Sequence, residues 1–407
     1  MRGIDVLSSR MVNINKRSFN VPSIISPSKS ETLKGSYMVR SDKSISGKTN
    51  RLVLSNRPKG SKNVLEEYNI TVDKPLKLMI HQHQAPGDIL MLTATIRDIH
   101  KTYPHMFITD VNLPNGGLHG RCAELFENSP YITPLDIDDP EVFIWSANYT
   151  TQINRSNSAI GHFIGAFHKN FEEVTGLTLP LSKGYPEVYL SEQEKSWPSR
   201  IWEIYNEEKP YWVIDAGRKN DYTLKLWEVQ RFQDIVDSFP EMLFVQVGAV
   251  GINHYHPPLK GDNVINEVGK TSIRQFCRLM YNAYGCITPV SFPMHLSAAI
   301  PMHTRYKVPN RPTIVIAGAR EPAQWEAYST HSYLHNCAVL PCSGAGGCWK
   351  SRIEPLNDKD DKKNSSLCVS PVITASGQKI AKCMDMISAK HVIDLMKQYH
   401  TNINPFI

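Results

Sequence analysis

From Asp73 onward the chain alternates short apolar runs with amphipathic stretches, and few architectures accommodate that rhythm. Strand-like runs separated by helical patterns describe an α/β chain with parallel sheets, because each crossover helix must cover a sheet face. In the first half, Leu76 to Ile80 reads as a buried strand, Ile89 to His100 as a helix and Met106 to Thr109 as the next strand. Val142 to Trp145 and a helix from Ser158 to Glu173 complete a βαβ-type half. After the charged, Pro-punctuated "SEQEKSWPSRIWEIYNEEKP" the pattern restarts at Tyr211. Helix Val229 to Ser238, strand Met242 to Val247, helix Thr271 to Asn282, strand Cys286 to Pro289, helix Met294 to Ile300 and strand Thr313 to Ile316 follow. A last helix follows Ser388, with Val392, Leu395, Met396 and Tyr399 on one face and Ser388 placed as N-cap.

The 407 residues suffice for two such units, and 41% hydrophobic with 21% charged residues fits a globular chain. No apolar run approaches the roughly 18 to 20 residues that span a bilayer. Charges stand where a signal peptide needs its apolar segment, so the expected location is cytoplasmic.

The net charge of +6 is unevenly placed. Residues 1 to 65 hold 13 Lys or Arg against 3 Asp or Glu, a balance of +10, which leaves −4 for the remainder. The division is therefore a basic arm (1–70), a first Rossmann-like unit (71–205), a second (206–387) and a closing segment (388–407) expected to pack back on the first unit. The arm is rich in Ser, Lys, Asn and Gly without period, which reads as a solvated tail or as a contact for a polyanion, a membrane surface or another subunit.

The first strand ends in His81-Gln82-His83, and alternate strand residues point the same way, so two imidazoles there can share a metal ion. None of His162, His168, His254, His256 or His295 clearly completes such a set; a polar strand end is the plainer reading. Gly87-Asp88 follows at a strand–turn–helix corner, where backbone N–H groups favour anions and a carboxylate can take a proton from a hydroxyl. Asp is also a common first-turn helix residue.

The surrounding words carry a resemblance. "GDILMLTATIRDIHKTYP", "AGRKNDYTLKLWEVQRFQDIVDSFP" and "VINEVGKTSIRQFCRLMYNAYGCITPVSFPMHLSAAI", in that order, resemble the ADP-heptose transferase family of bacterial glycosyltransferases over about Leu76 to Tyr399. The resemblance implies a GT-B fold: two Rossmann-like domains facing a cleft, with acceptor on the first and nucleotide sugar, an ADP-sugar, on the second. It implies that Asp88 is the catalytic base and that Lys225 faces the donor phosphates. Gly217 lies in the phosphate loop; Thr223 either binds a phosphate or is a turn residue; Ser291 and His295 stand at a helix start beside the phosphates, unless His295 is an interior histidine. Glu321, with Gln324 and Trp325, follows "TIVIAG" and either lines the donor pocket or is a structural loop. Where the family has Asp-Ser/Thr-Gly, this chain has Val290-Ser291-Phe292. "INHYHPPL" reads as a loop.

Four of the eight cysteines, Cys342, Cys348, Cys368 and Cys383, fall in the last seventy residues, with glycines between the first two. Four thiolates suit tetrahedral iron or zinc; disulfides and unlinked thiols are the other readings. A subgroup of the resembled family, the autotransporter heptosyltransferases, carries a four-cysteine iron site near its C-terminus, which supports a structural metal. Cys122, Cys277, Cys286 and Cys337 read as small buried residues.

The expected activity is metal-independent inverting transfer of a sugar to a hydroxyl of a glycan or protein acceptor. The alternatives are a catalytically decayed scaffold that binds partners through the basic arm, motivated by Val290 and Phe292, and a His81/His83 metal hydrolase.

Overall fold

The structure is a computed structural model that describes residues 10–14, 17–21, 52–113, 122–150, 152, 161–219, 223–251, 254–344, 346–348, 368 and 370–401. Most of the basic arm lies outside these residues; an antiparallel pair, Arg10–Ile14 with Arg17–Val21, is described in it.

The first unit is a four-stranded parallel sheet of β1 (Leu52–Val53), β2 (Leu76–His81), β3 (Phe107–Asn112) and β4 (Val142–Ser146) in the order β1-β4-β2-β3. Leu78 and Ile80 are fully buried at the centre of the sheet, as the apolar run predicts. Helix α1 (Pro86–Thr102) starts three residues before the expected Ile89, because Pro86 presets φ and Asp88 turns back to accept the Ala85 N–H at 3.0 Å. Helix α2 (Phe163–Thr175) is capped by His162, whose Nδ1 accepts the Ile164 N–H, and ends at Gly176 with φ 73°. The expected earlier start at Ser158 lies outside the described residues.

The second unit is a six-stranded parallel sheet of β5 (Tyr211–Ile214), β6 (Leu243–Gln246), β7 (Val264–Asn266), β8 (Gly285–Pro289), β9 (Thr313–Gly318) and β10 (His331–His335). Its order, β7-β6-β5-β8-β9-β10, is the doubly wound 3-2-1-4-5-6 arrangement, whose ligand crevice lies beyond the carboxyl ends of the strands where the order reverses. Here that point falls between β5 and β8. Helices α3 (Val229–Asp237), α4 (Ile273–Asn282) and α5 (Phe292–Ala299) cover the sheet, and Ser272 with Gln275 forms a capping box on α4. α5 begins at Phe292, two residues before the expected Met294, with Pro293 in its first turn. The polar edge strand β10 has no apolar run to announce it.

The two units share a core in which Ile89 and Phe163 of the first meet Met294, Leu296, Trp325 and Tyr328 of the second. Arg274 of α4 fastens the seam: Nε lies 2.6 Å from Glu194, and Nη1 and Nη2 donate to the carbonyls of Glu124 and Tyr189. The closing helix α6 (Ala389–Thr401) corrects the expectation that it would pack on the first unit. Val392 and Met396 are buried in the second unit's own core, and Trp212 Nε1 donates to His400 Nε2 at 3.2 Å. The aromatic surface of Trp212, Tyr284 and Phe239 supplies the complementary face that captures it. Ser388 directly precedes α6, with its hydroxyl 3.3 Å from His391 Nδ1.

Candidate active site

The site forms where the N-terminal turn of α1 meets α5 and the loop after β9. Buried Gln82 shapes the approach: its Oε1 accepts the N–H groups of His83 and Gln84, and its Nε2 reaches Gln84 and the Ala147 carbonyl. This fixes the turn that launches Pro86, Gly87 and Asp88. Among the described residues His81 and His83 do not build a metal centre with a third ligand; His81 Nδ1 lies 3.4 Å from Asn112 Nδ2 and His83 is exposed.

Asp88 is half-buried between the units. Burial raises its pKa to about 6, against the opposing charge of Lys225 and the hydrogen bond from Tyr149, while Glu321 pushes it further up. A carboxylate poised near neutrality, with a cation beside it, is equipped to accept a proton at physiological pH.

Lys225 ends a 3-10 turn, Thr223–Lys225, and its Nζ lies 2.8 Å from Glu321 Oε2. The side chain of Thr223 lies outside the described residues. Glu321, in the loop after β9, also pairs with Arg320. Burial alone would raise Glu321, but Lys225 and Arg320 outweigh it and hold its carboxyl below the usual range. Glu326 goes the other way: burial and the Glu321 charge push it well above. Glu326 hydrogen-bonds Glu321, which adds to the forces that hold the Glu321 carboxyl down.

His295 lies on α5 directly against Gly87. Its Nδ1 is 2.8 Å from the Tyr328 hydroxyl and its Nε2 is 3.6 Å from Glu326. Burial, with the charge of Lys225, holds it well below its ordinary pKa, so it is a neutral imidazole.

At the sheet's reversal point Ser291 is the N-cap residue of α5, but its hydroxyl does not cap the helix. It donates to Asp215 Oδ2 at 2.8 Å and lies 2.9 Å from Thr288 Oγ1. Val290 is buried, and Phe292 packs its ring 5.9 Å from that of Phe276. Gly217 follows β5, with the imidazole of His256 against its Cα. Trp325 and Gln324 sit on the helical turn Ala323–Glu326, where Trp325 is buried against Phe163.

Cys342, Cys348, Cys368 and Cys383 line one small cavity with Leu224, Ala319 and Arg320, and all are free thiols. Burial, with the neighbouring Cys383, pushes Cys348 up to about 12, and burial pushes Cys383 to about 11. Among the described residues no group of three or more His, Cys, Asp or Glu side chains stands ready to hold a metal ion. The donor set nonetheless fits one: four thiols, two of them buried and two half-buried, converge on a shared space, and a cation there would offset the burial that now disfavours the Cys348 and Cys383 thiolates. Cys122, Cys277 and Cys286 are buried as expected, whereas Cys337 is half-buried.

Tyr149, Asp215, Glu326 and Tyr328 escape sequence reasoning. Each is a single polar residue just past a strand or on a short turn, and no spacing marks it. Asp215 and Glu326 alone had a clue, since each lies within the stretch after an apolar strand where α/β sheets bind ligands.

No protein-family model matches the chain, and no curated protein matches it. Among solved structures it is similar to E. coli ADP-heptose lps heptosyltransferase II, with 14% identity, a TM-score of 0.48, and coverage of 79% of this chain and 98% of that one. It is similar to a glycosyl transferase family 9 protein from Veillonella parvula DSM 2008, at 12% identity and TM-score 0.46, over 79% of this chain and 96% of that one. It is also similar to the iron-containing dodecameric glycosyltransferase TibC from enterotoxigenic E. coli H10407, at 14% identity and TM-score 0.46, over 81% and 76% of the two chains.

Proposed function

We propose that the protein is a glycosyltransferase that moves a sugar from a nucleoside diphosphate, an ADP-sugar by the sequence resemblance, to a hydroxyl of a glycan or protein. The observation that carries the reading is the meeting of Asp88, from the first unit, with Lys225, Glu321 and His295 of the second. A base and a cation placed on opposite units suit a reaction whose two substrates bind on opposite units.

In this mechanism the acceptor oxygen attacks the anomeric carbon, its proton passes to Asp88, and the bond to the diphosphate breaks with both electrons leaving on phosphate oxygen. Attack from the face opposite the diphosphate inverts the anomeric centre. Lys225 transfers its attention from Glu321 to the departing diphosphate, a role that needs no metal. Glu321 keeps Arg320 and Glu326 as partners while Lys225 is engaged. His295, neutral, holds α1 and α5 at a fixed separation and donates no charge.

The cysteines would hold a structural iron or zinc that braces the loops after β9; such a closed thiolate shell takes no part in sugar transfer. The decayed-scaffold alternative draws no support from the site, because Val290 and Phe292 face the core and leave the crevice residues in place.

The test is thermal unfolding with a panel of nucleoside diphosphates, on wild type and Lys225→Ala, followed by a transfer assay with the matching nucleotide sugars. Stabilisation by one diphosphate that disappears in the variant supports the reading. A folded wild-type protein stabilised by none of them would overturn it.

A further inference from the structure

Two donors from its own unit hold the Asp88 carboxylate. Oδ2 accepts the Ala85 N–H at 3.0 Å, and the hydroxyl of Tyr149, in the loop after β4, donates to the same carboxylate. With the backbone donor alone, the carboxylate could still turn about χ2, a broad two-fold torsion. The second donor fixes it.

Tyr149 is itself immobilised. Its ring is buried, stacks on Phe163 at 4.4 Å and 19°, and meets the edge of Phe167 at 5.3 Å. Phe163 and Phe167 lie one turn apart on α2 and are both buried, so neither yields. One turn further on, Asn170 pins the loop that carries the tyrosine: its Oδ1 accepts Trp145 Nε1–H and the Asn148 N–H, each at 3.0 Å. Asn148 Oδ1 then accepts the Thr150 N–H at 2.8 Å. Phe163 also faces Trp325 of the second unit at 5.8 Å, so three rings run from the base across the junction to the turn that carries Glu326. Burial and the nearby carboxylates hold the Tyr149 phenol well above its ordinary pKa, which keeps it a donor.

We propose that Tyr149 is a positioning residue for the transfer reaction, aiming the Asp88 carboxylate before either substrate binds. The phenol supplies direction, and the carboxylate's remaining lone pairs are left for the acceptor hydroxyl. A base aimed within its own unit does not depend on contact with the donor domain for its orientation. The inference rests on the glycosyltransferase reading and adds to it the group that aims the base.

Tyr149→Phe keeps the ring stack and removes only the hydroxyl, and a melting scan checks that it folds. The titrating groups that face Asp88 from the second unit are Lys225, Glu321 and Glu326, with His295 against the preceding Gly87, and all are retained in this variant. Infrared titration, with the Asp88 band identified by its loss in Asp88→Asn, should show the midpoint rising by about one unit or more, because a hydrogen bond that favours the carboxylate is gone. With the nucleotide sugar selected by the transfer assay above, the acid limb of kcat/KM should move up with it. The plateau kcat should fall about tenfold or more, the cost of a misaimed group, while the donor KM stays within about twofold. Adding Tyr149→Phe to Asp88→Asn should change the residual turnover by less than about twofold, since no base is left to aim. A midpoint and acid limb that stay in place, or the same tenfold loss in the Asp88→Asn background, overturn the inference and leave the glycosyltransferase reading standing. A folded wild type that transfers sugar from no nucleotide sugar sinks both.

Discussion

Gly87 and His295 touch across the junction of the two units: a Cβ on Gly87 would lie 2.7 Å from His295 Cδ2 and 3.1 Å from Nε2. The absent side chain lets an imidazole sit one residue from Asp88, and it sets how close α1 and α5 approach. Gly87→Ala should therefore destabilise the protein by about 1–3 kcal/mol through overpacking and shift Asp88. Urea unfolding and turnover measured on Gly87→Ala, His295→Ala and the double variant should show rescue of stability in the double.

Asp88→Asn should lower turnover by about 10²–10⁴, the usual value of a general base, with nucleotide affinity nearly unchanged. Because burial raises Asp88 to about 6, the folded state holds that proton more tightly than the unfolded chain. The group's contribution to stability thus falls as pH rises from about 4 through 6, and Asp88→Asn should melt above wild type at pH 7.

The pH profile of kcat/KM should rise through about pH 6 and level above it. Lys225 opposes the rise in Asp88, so Lys225→Met should move the carboxyl titration to higher pH. Infrared titration of the carboxyl band reads this even where activity is weak.

Glu321 and Glu326 should answer differently to the same change. Burial and the Glu321 charge favour the protonated form of Glu326, so Glu326→Gln, which keeps that form's shape and charge, should alter stability by less than about 1 kcal/mol. Glu321→Gln removes the anion that Lys225 and Arg320 share, and should cost about 3 kcal/mol or more. Equal losses would show that the proton sits elsewhere.

Elemental analysis of the purified protein should find iron or zinc near one per chain, lost in Cys348→Ser and Cys383→Ser. A metal present at a hundred times its Kd adds about 2.7 kcal/mol, so chelation should lower the melting temperature measurably. Unchanged melting after complete removal would leave the thiols without a bracing role.

What the sequence made legible follows from how far each signal reaches. The buried strands β2, β5, β8 and β9 appear as apolar runs because a parallel strand covered on both faces must be apolar throughout. Gly87-Asp88 and Lys225 were visible in order along the chain. Their convergence came only from the fold, since Asp88 and Lys225 stand on different units. Tyr149 left no mark, because its hydrogen bond to Asp88, 61 residues away, imposes no local period. α6 was visible as a helix, but its docking surface is supplied by Trp212, 188 residues before His400, and by Tyr284, 115 before Tyr399.

The thiol cavity and the ion pair beside Asp88 are joined in a way that bears on inheritance. Leu224 and Arg320 line the cavity, while Lys225 and Glu321, the very next residues, form the pair. Two peptide links hold one locus to the other, so neither can drift alone. Lineages that discard the cysteines must refill the cavity in concert or lose the lysine's aim, and descendants should keep or abandon both features together.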